Sequence, residues 1–436
     1  MPELSDSCLS LPAIATALLV MACQPEKVRD HLPQRPDPVE SAEGYSAASW
    51  RDDFPAGSDL AILLGSTYDA VITADTLESN GNWLLPESWL QSTSEAYYDT
   101  EVEDALELEN LPEEWRIVSI RVTPCGPVGL MPSQDIDTLC WPAVRLVWQP
   151  VLEDFTLAWG YQTDFYADDR AIHAIYPLDP RDSEGNVSST YTRDEVIGHL
   201  QSGNSHASVS TDLLDTFERE RNLTALWLLD QVHNLRDPDL GDGSWNGIDL
   251  RPELFIEEAN IEAFAQRLTS FLGEVAANDK LGEMTSFSLP EGRTPASTDI
   301  WVFIAFDGNG GNPSLKELTV IGRESGDELV NIGTAQSVAV GIEDPAVEEA
   351  LAEGNQELEE SLIISGSDIL EMTGLVADPY EFLVPNTSCA SCHRMNNALR
   401  FNFHALSGFE TDGIFVSPRV EDDVARDIAW VQANAL

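Results

Sequence analysis

The chain has 436 residues, 43% of them hydrophobic and 11 of them tryptophan, which is enough to bury the cores of two or three domains and excludes a disordered protein. Its 76 acidic and 23 basic side chains give a formal net charge of −53, which makes nucleic acids and anionic membrane surfaces poor partners. Lysine occurs only as Lys27, Lys280 and Lys316. This acid excess is typical of exported proteins in seawater-like salt, with attraction of a basic partner as the alternative.

The N-terminus carries an apolar run at residues 9–22, which is too short to span a bilayer and has the length of a signal-peptide hydrophobic region. The run ends directly before Cys23. This junction resembles the lipobox of bacterial lipoproteins, in which the cysteine is lipidated and becomes the mature N-terminus, although no basic residue precedes the run here. The resemblance implies a signal peptide at 1–22 and a lipid on Cys23; a buried apolar helix is the alternative.

Residues 23–48 follow the predicted anchor and contain four prolines among charged side chains. That composition predicts an extended tether to a folded body. Together with the lipid anchor, it implies an exported protein in the periplasm, or at the outer membrane or cell surface. No later segment has about 18 uninterrupted apolar residues, so we expect no transmembrane helix in the mature chain.

The body begins with segments at 115–122, 143–151 and 170–178 that are rich in β-branched and aromatic residues and predict strands. Cys125 and Cys140 flank a turn-rich stretch between the first two of them. In an oxidising compartment these cysteines are expected to form a disulfide that contributes about 3 kcal/mol. Two free buried thiols are the alternative.

The middle of the chain changes to helical periodicity. Residues 211–235 lack glycine and proline, and a second helix is indicated by apolar residues at helical spacing: Ile261, Phe264, Leu268, Phe271 and Leu272. The rest of the chain is predicted to contain strands at 299–306 and 316–322, a helix at 345–363 and a last helix that starts at Pro418. The mixture predicts an α+β fold, with a strand-rich and helical body at 49–375 that has room for two subdomains divided near residue 280.

An acidic stretch at 237–249 offers carboxylates that could hold Ca²⁺. Gly241 replaces the third carboxylate of an EF-hand loop, and no glutamate stands at the twelfth position. The stretch therefore predicts a polar turn.

The C-terminal part contains Cys389, Cys392 and His393, which spell C-x-x-C-H. Two thiols at this spacing can add across the two vinyl groups of one porphyrin, and the next imidazole reaches the iron. The motif resembles the haem-attachment segment of c-type cytochromes, and the resemblance implies one covalent haem c in a segment at 376–436 that ends in the terminal helix. A disulfide or thiol pair is one alternative. Zinc binding is another alternative, although structural zinc sites have four protein ligands and this motif supplies three at most.

The motif lies near the end of the chain rather than near the start of a small domain, and no methionine beyond Met395 follows it. His404 is therefore the candidate sixth iron ligand, and an ordinary loop histidine is the alternative. Phe403 could cover the ring, while Arg394 and Arg400 could pair with the haem propionates. Less favoured iron ligands stand elsewhere in the chain: His173, His199, His206, His233 and Met372.

These features predict a monohaem electron carrier of the cell envelope rather than an enzyme. Its redox partner is expected to be a protein, and the acidic surface favours a basic one. Two imidazole ligands would leave the iron no open position for chemistry. One alternative is a haem enzyme or a gas or redox sensor with an open sixth position. The other is an envelope binding or structural module in which the haem is accessory.

Overall fold

Alternation of apolar and polar side chains along extended segments produces one large sheet in the computed structural model of this chain. The structure describes residues 50, 53–64, 78–79, 82–86, 88–89, 92, 115–126, 140–156, 162–167, 171–188, 195–196, 209–241, 243–255, 258–277, 280–288, 302–308, 313–316, 318–321, 329–332 and 418–434.

Twelve described strands are numbered in chain order: β1 (Ala61–Leu63), β2 (Glu78–Ser79), β3 (Asn82–Trp83), β4 (Trp115–Gly126), β5 (Trp141–Thr156), β6 (Gln162–Ala167), β7 (Ala171–Pro177), β8 (Glu283–Ser288), β9 (Val302–Asp307), β10 (Ser314–Lys316), β11 (Leu318–Ile321) and β12 (Leu329–Ile332). Eight of them form an antiparallel sheet in the order β1-β4-β5-β7-β8-β9-β10, with β6 paired to the second half of β5. The pairs β2–β3 and β11–β12 are separate two-stranded sheets.

A row of directly opposed side chains crosses the large sheet and forms the centre of its core. In register across β4, β5, β7, β8 and β9 these are Ile120, Leu146, Ala174, Met284 and Phe306. All five are almost completely buried and belong to one apolar cluster. Cross-strand packing of this kind is the main source of sheet stability, so this row fixes the register of the five strands.

The described helices complete this core. They are the single turn α1 (Gly57–Leu60), α2 (Thr211–His233), α3 (Glu258–Val275) and α4 (Pro418–Asn434). Ser210 caps α2 by accepting a hydrogen bond from the Leu213 amide at 3.4 Å. Buried side chains of the three long helices join the same apolar cluster as the strands: Leu228, Leu229 and Val232 of α2, Phe264, Leu268 and Leu272 of α3, and Val424, Trp430 and Val431 of α4.

The α+β class predicted from sequence is confirmed by this sheet and its helices. The predicted strands before residue 180 and the predicted helices that begin near 211 and 418 are present. The strand predicted at 316–322 is present as β11 (Leu318–Ile321), which pairs with β12, whereas Lys316 belongs to β10 and pairs with β9. A run of apolar residues does not reveal its strand partners. The helix predicted at 345–363 lies outside the described residues.

Strands from both sides of residue 280 belong to the large sheet, since β7 pairs with β8. All described residues fall in one compact unit, Glu40–Leu436. The predicted signal peptide, the predicted lipidation site Cys23 and the predicted tether at 23–48 all lie outside the described residues, so they stay predictions. Within the described part of the chain, every helix is too short or too polar to cross a bilayer.

Candidate functional site

The residues predicted to hold haem all lie outside the part of the chain that the structure describes. They are Cys389, Cys392, His393, Arg394, Arg400, Phe403 and His404. His199, His206 and Met372, which were weaker candidates for the iron, also lie outside it. Their predicted roles therefore stay predictions.

Two of the weaker candidate ligands, His173 and His233, are described. His173 stands in the middle of β7, opposite Val147 of β5 and Thr285 of β8, as a partly buried strand residue. His233 lies in the last turn of α2, where its ring meets the ring of Phe54 edge-on with 5.0 Å between centroids. At this end of the helix, a charged histidine interacts favourably with the helix dipole.

Cys125 and Cys140, which the sequence paired, are joined by a disulfide with their Cα atoms 4.8 Å apart. Cys125 lies near the end of β4, and Cys140 immediately precedes β5. Both are buried. The bond closes a loop of 15 residues, for which loss of chain entropy in the unfolded state predicts about 3 kcal/mol of stabilisation.

A buried ionic cluster, which sequence analysis missed, joins the start of the body to the segment after α2. We call it the Arg251 network, and it consists of Asp53, Asp59, Arg236, Arg251 and Glu253. Arg236 lies 3.0 Å from Asp53 and 2.5 Å from Asp59, measured between nitrogen and oxygen. Arg251 lies 3.2 Å from Asp59 and 2.9 Å from Glu253. Asp59 is thus shared by two guanidinium groups.

The chain reaches this geometry because residues 236–255 fold back over the turn α1. The backbone amide and the hydroxyl of Ser58 both donate to the carbonyl of Trp245, at 3.1 and 3.0 Å. The Trp245 ring nitrogen donates to Glu253 at 3.3 Å. A Cβ on Gly57 would lie 2.7 Å from the Gly247 carbonyl oxygen, so this approach requires a glycine.

Charge and aromatic contacts hold Arg236 in this network. Burial by itself would lower the pKa of Arg236, but the hydrogen bond and charge of Asp59, with those of Asp53, outweigh burial and raise it. The guanidinium also lies 4.3 Å from the centroid of the Trp245 ring and 5.1 Å from that of Phe54. Arginine suits such sites better than lysine because its planar group can stack and pair in two directions.

The pH response of the network can be predicted from Asp53. Burial raises the pKa of this carboxyl, but the Gly243 amide and Arg236 outweigh burial and hold the pKa below its usual value of 3.8. Asp53 therefore stabilises the fold above that value, and the contribution is lost as the pH falls through the lower folded-state pKa. Urea unfolding from about pH 6 to about pH 3 should show a steeper loss of stability for the wild type than for Asp53→Asn. Parallel curves for the two proteins would contradict the assignment.

A second group of buried charges holds α4. Arg121 of β4 pairs with Asp427 and donates to the Leu60 carbonyl at 2.9 Å. Arg426 pairs with the same Asp427, at 2.9 Å. Burial lowers the pKa of Arg121, and the charge of Asp427 opposes that shift. Since Asp427 is completely buried, its two arginine partners are required to keep its charge compensated.

The acidic stretch at 237–249 is a turn wherever it is described. The Asp239 amide donates to the Asp237 carboxylate at 2.9 Å, and the Asp237 amide donates to Glu253 at 3.1 Å. Asp242 is not described. Among the residues that are described, no three His, Cys, Asp or Glu side chains are grouped so that they could hold a metal ion.

No known protein family matches the chain. No curated protein and no solved structure is significantly similar to it either. The resemblance to c-type cytochromes is therefore wrong as a statement of kinship: no family match supports it, and the described residues contain no group of metal ligands. The residues Cys389, Cys392 and His393 are present in the sequence all the same, and what their chemistry allows is a separate question.

Proposed function

We propose that this protein is an exported electron carrier that holds one haem c through thioether bonds to Cys389 and Cys392, with His393 as the first axial ligand of the iron. The observation that carries the proposal is the C-x-x-C-H spacing of these residues. The haem part of the proposal rests on the chemistry of the motif alone. When bound, the haem supplies a one-electron couple whose potential depends on its axial ligands and its surroundings.

Each neighbouring residue has a proposed part in holding the group. His404 would be the second protein ligand of the iron, and a haem held by two imidazoles would supply electron transfer rather than a site for substrate. Phe403 shields the ring from water, and Arg394 and Arg400 compensate the two propionate charges. An iron closed on both sides favours electron transfer over catalysis.

The disulfide between Cys125 and Cys140 supports the exported location, because disulfides persist mainly in oxidising compartments. Cys23 as the lipid anchor remains part of the proposal, with the periplasm, the outer membrane or the cell surface as the place of action.

The distribution of charge favours a basic redox partner. Six of the described arginines are buried: Arg121, Arg181, Arg221, Arg236, Arg251 and Arg426. Their charges are taken up by internal carboxylates, carbonyls and aromatic rings rather than displayed on the surface. A surface poor in cations on a chain of net charge −53 attracts a cationic protein and raises the rate of encounter at low salt.

The absorption spectrum of protein matured with haem-attachment machinery tests the proposed function. We expect a pyridine haemochrome of covalent haem at one haem per chain, and a low-spin spectrum in the native protein. His404→Ala is expected to convert that spectrum to high spin, whereas the matched variant His206→Ala leaves it unchanged. The reason is that removal of a strong axial ligand opens one position of the iron.

A native spectrum that is already high-spin would overturn the electron-carrier proposal. In that high-spin case, a His404→Ala variant with an unchanged spectrum but altered binding of carbon monoxide or peroxide would place His404 beside an open iron position and favour a haem enzyme or sensor instead. A low-spin spectrum that His404→Ala leaves unchanged would contradict His404 as the second iron ligand.

A further inference from the structure

The disulfide lies where two strands and two helices of the fold meet. Arg221 of α2 has its Nη1 4.0 Å from the sulfur of Cys140. Arg426 of α4 has its Nη2 3.5 Å from the carbonyl oxygen of Cys125. Both arginines are buried, and so are both cysteines. The covalent link between β4 and β5 is thus in contact with one arginine from each of two helices.

An irregularity in β4 exposes the Cys125 carbonyl to α4. The register between β4 and β5 shifts between Thr123 and Gly126, where the regular ladder is interrupted before Gly126 pairs with Trp141. Residues at such a bulge lose regular ladder partners, and their polar groups can be aimed elsewhere. The Cys125 carbonyl is aimed at Arg426. The disulfide is the covalent bond that holds this irregular end of β4 against the start of β5.

Two further contacts hold α4. Asp427 pairs with Arg121, which lies in the regular part of β4. The guanidinium of Arg221 lies 5.4 Å from the centroid of the Trp430 ring, so it contacts both α4 and the disulfide. The contacts of α4 with the Cys125 carbonyl and with Arg221 are thus the ones that depend on the region of the disulfide.

From this arrangement we infer that the Cys125–Cys140 disulfide is a redox-sensitive clasp that seats the C-terminal helix α4 on β4 and α2. Oxidation joins the two sulfurs by exchange with an oxidised dithiol, which takes up two electrons and two protons and leaves reduced. Reduction reverses these changes and loosens α4 while the central row of the sheet stays packed.

The physical reason is the space that two thiols need. Bonded sulfurs lie about 2 Å apart, whereas two unbonded sulfurs require a van der Waals separation well beyond that. Cys125 and Cys140 are both buried, so the irregular end of β4 is the part that must move. The Cys125 carbonyl then shifts away from Arg426, and Arg221 loses its fixed neighbour beside Trp430. The central row, with Leu146 and Ala174, is held by regular pairing of β5 with β7, outside the register shift at the end of β4.

Hydrogen exchange of the full-length chain tests the clasp. In Cys125→Ser/Cys140→Ser, amides of residues 424–431 in α4 should exchange about tenfold faster or more, while amides of residues 264–272 in α3 keep their wild-type rates. Arg426→Gln in the oxidised protein should accelerate exchange in α4 as well, because it removes the contact with the Cys125 carbonyl together with the pair with Asp427. Unchanged α4 exchange in the cysteine variant, or an equal change in α3 and α4, would overturn the inference.

A second measurement decides the matter if the cysteine variant does not fold. Wild-type protein is equilibrated in mixtures of reduced and oxidised dithiothreitol, and exchange in α4 and α3 is followed as the disulfide opens. Loss of protection in α4 at ratios where α3 remains protected supports the clasp. Simultaneous loss of protection in both helices would show that the bond stabilises the whole fold and not α4 in particular, which overturns the inference.

Discussion

Replacement of both motif cysteines, Cys389→Ala with Cys392→Ala, is expected to abolish covalent haem. The thioether bonds are the only covalent links that the proposed function provides between chain and porphyrin, so their loss is complete rather than partial. The expected mass of the matured variant is that of the bare polypeptide, and its pyridine haemochrome is absent. The wild type is expected to carry one haem under the same conditions. Intact-mass analysis after acid denaturation distinguishes covalent from trapped haem.

The matched control for this experiment is Met395→Ala, which alters a residue beside the motif without touching a thiol. It should retain one haem. Each single cysteine variant should keep at most one thioether bond. Haem that survives acid denaturation of the double variant, or a wild type that gains no haem at all, would contradict the proposed function.

Asp59→Ala is expected to lower the free energy of unfolding by about 3–5 kcal/mol, because it leaves buried arginines without their shared carboxylate. Asp59 is 0% exposed and contacts both Arg236 and Arg251. Asp59 also accepts a hydrogen bond, 2.8 Å long, from the backbone amide of Ala56, the residue that precedes α1. The substitution therefore deprives three polar groups of their shared carboxylate at once. Urea unfolding followed by tryptophan fluorescence measures the loss.

Asp53→Ala is the control within the same network, since it makes the same change of charge at a side chain that is 14% exposed. Water can reach the Asp53 side chain, and Asp59 still compensates the charge of Arg236 when Asp53 is replaced. The expected loss is about 1 kcal/mol or less. Equal losses for the two variants would show that the network derives its strength from surface electrostatics rather than from burial.

The two kinds of site in this protein differ in how much of them the sequence reveals. The proposed haem motif is local: its three residues lie within five positions, so the chemistry that it allows can be predicted from the sequence without knowledge of the fold. The Arg251 network is not local, because Arg236 and Asp59 are 177 residues apart and Arg251 and Asp59 are 192 apart. The composition shows that arginine outnumbers lysine, but it does not say which arginines are buried or which carboxylates are their partners.

The family resemblance shows the limit of a short motif. Three residues that match a pattern state what a segment can bind, whereas kinship requires similarity along the body of a chain. No known family matches this one. Function must therefore be argued from the residues and tested directly.

The sequence by itself determined the α+β class, the approximate positions of several strands and helices, and the cysteines that form the disulfide. Each of these follows from short-range periodicity or from residue types in a particular compartment. Only the tertiary structure decided that residue 316 and residues 318–321 belong to two different sheets, that Asp59 is held by two arginines, and that α4 lies beside the disulfide. The physical reason is that pairing of strands, compensation of buried charge and helix docking depend on which distant segments share the interior. That choice is made by the packing of the whole chain.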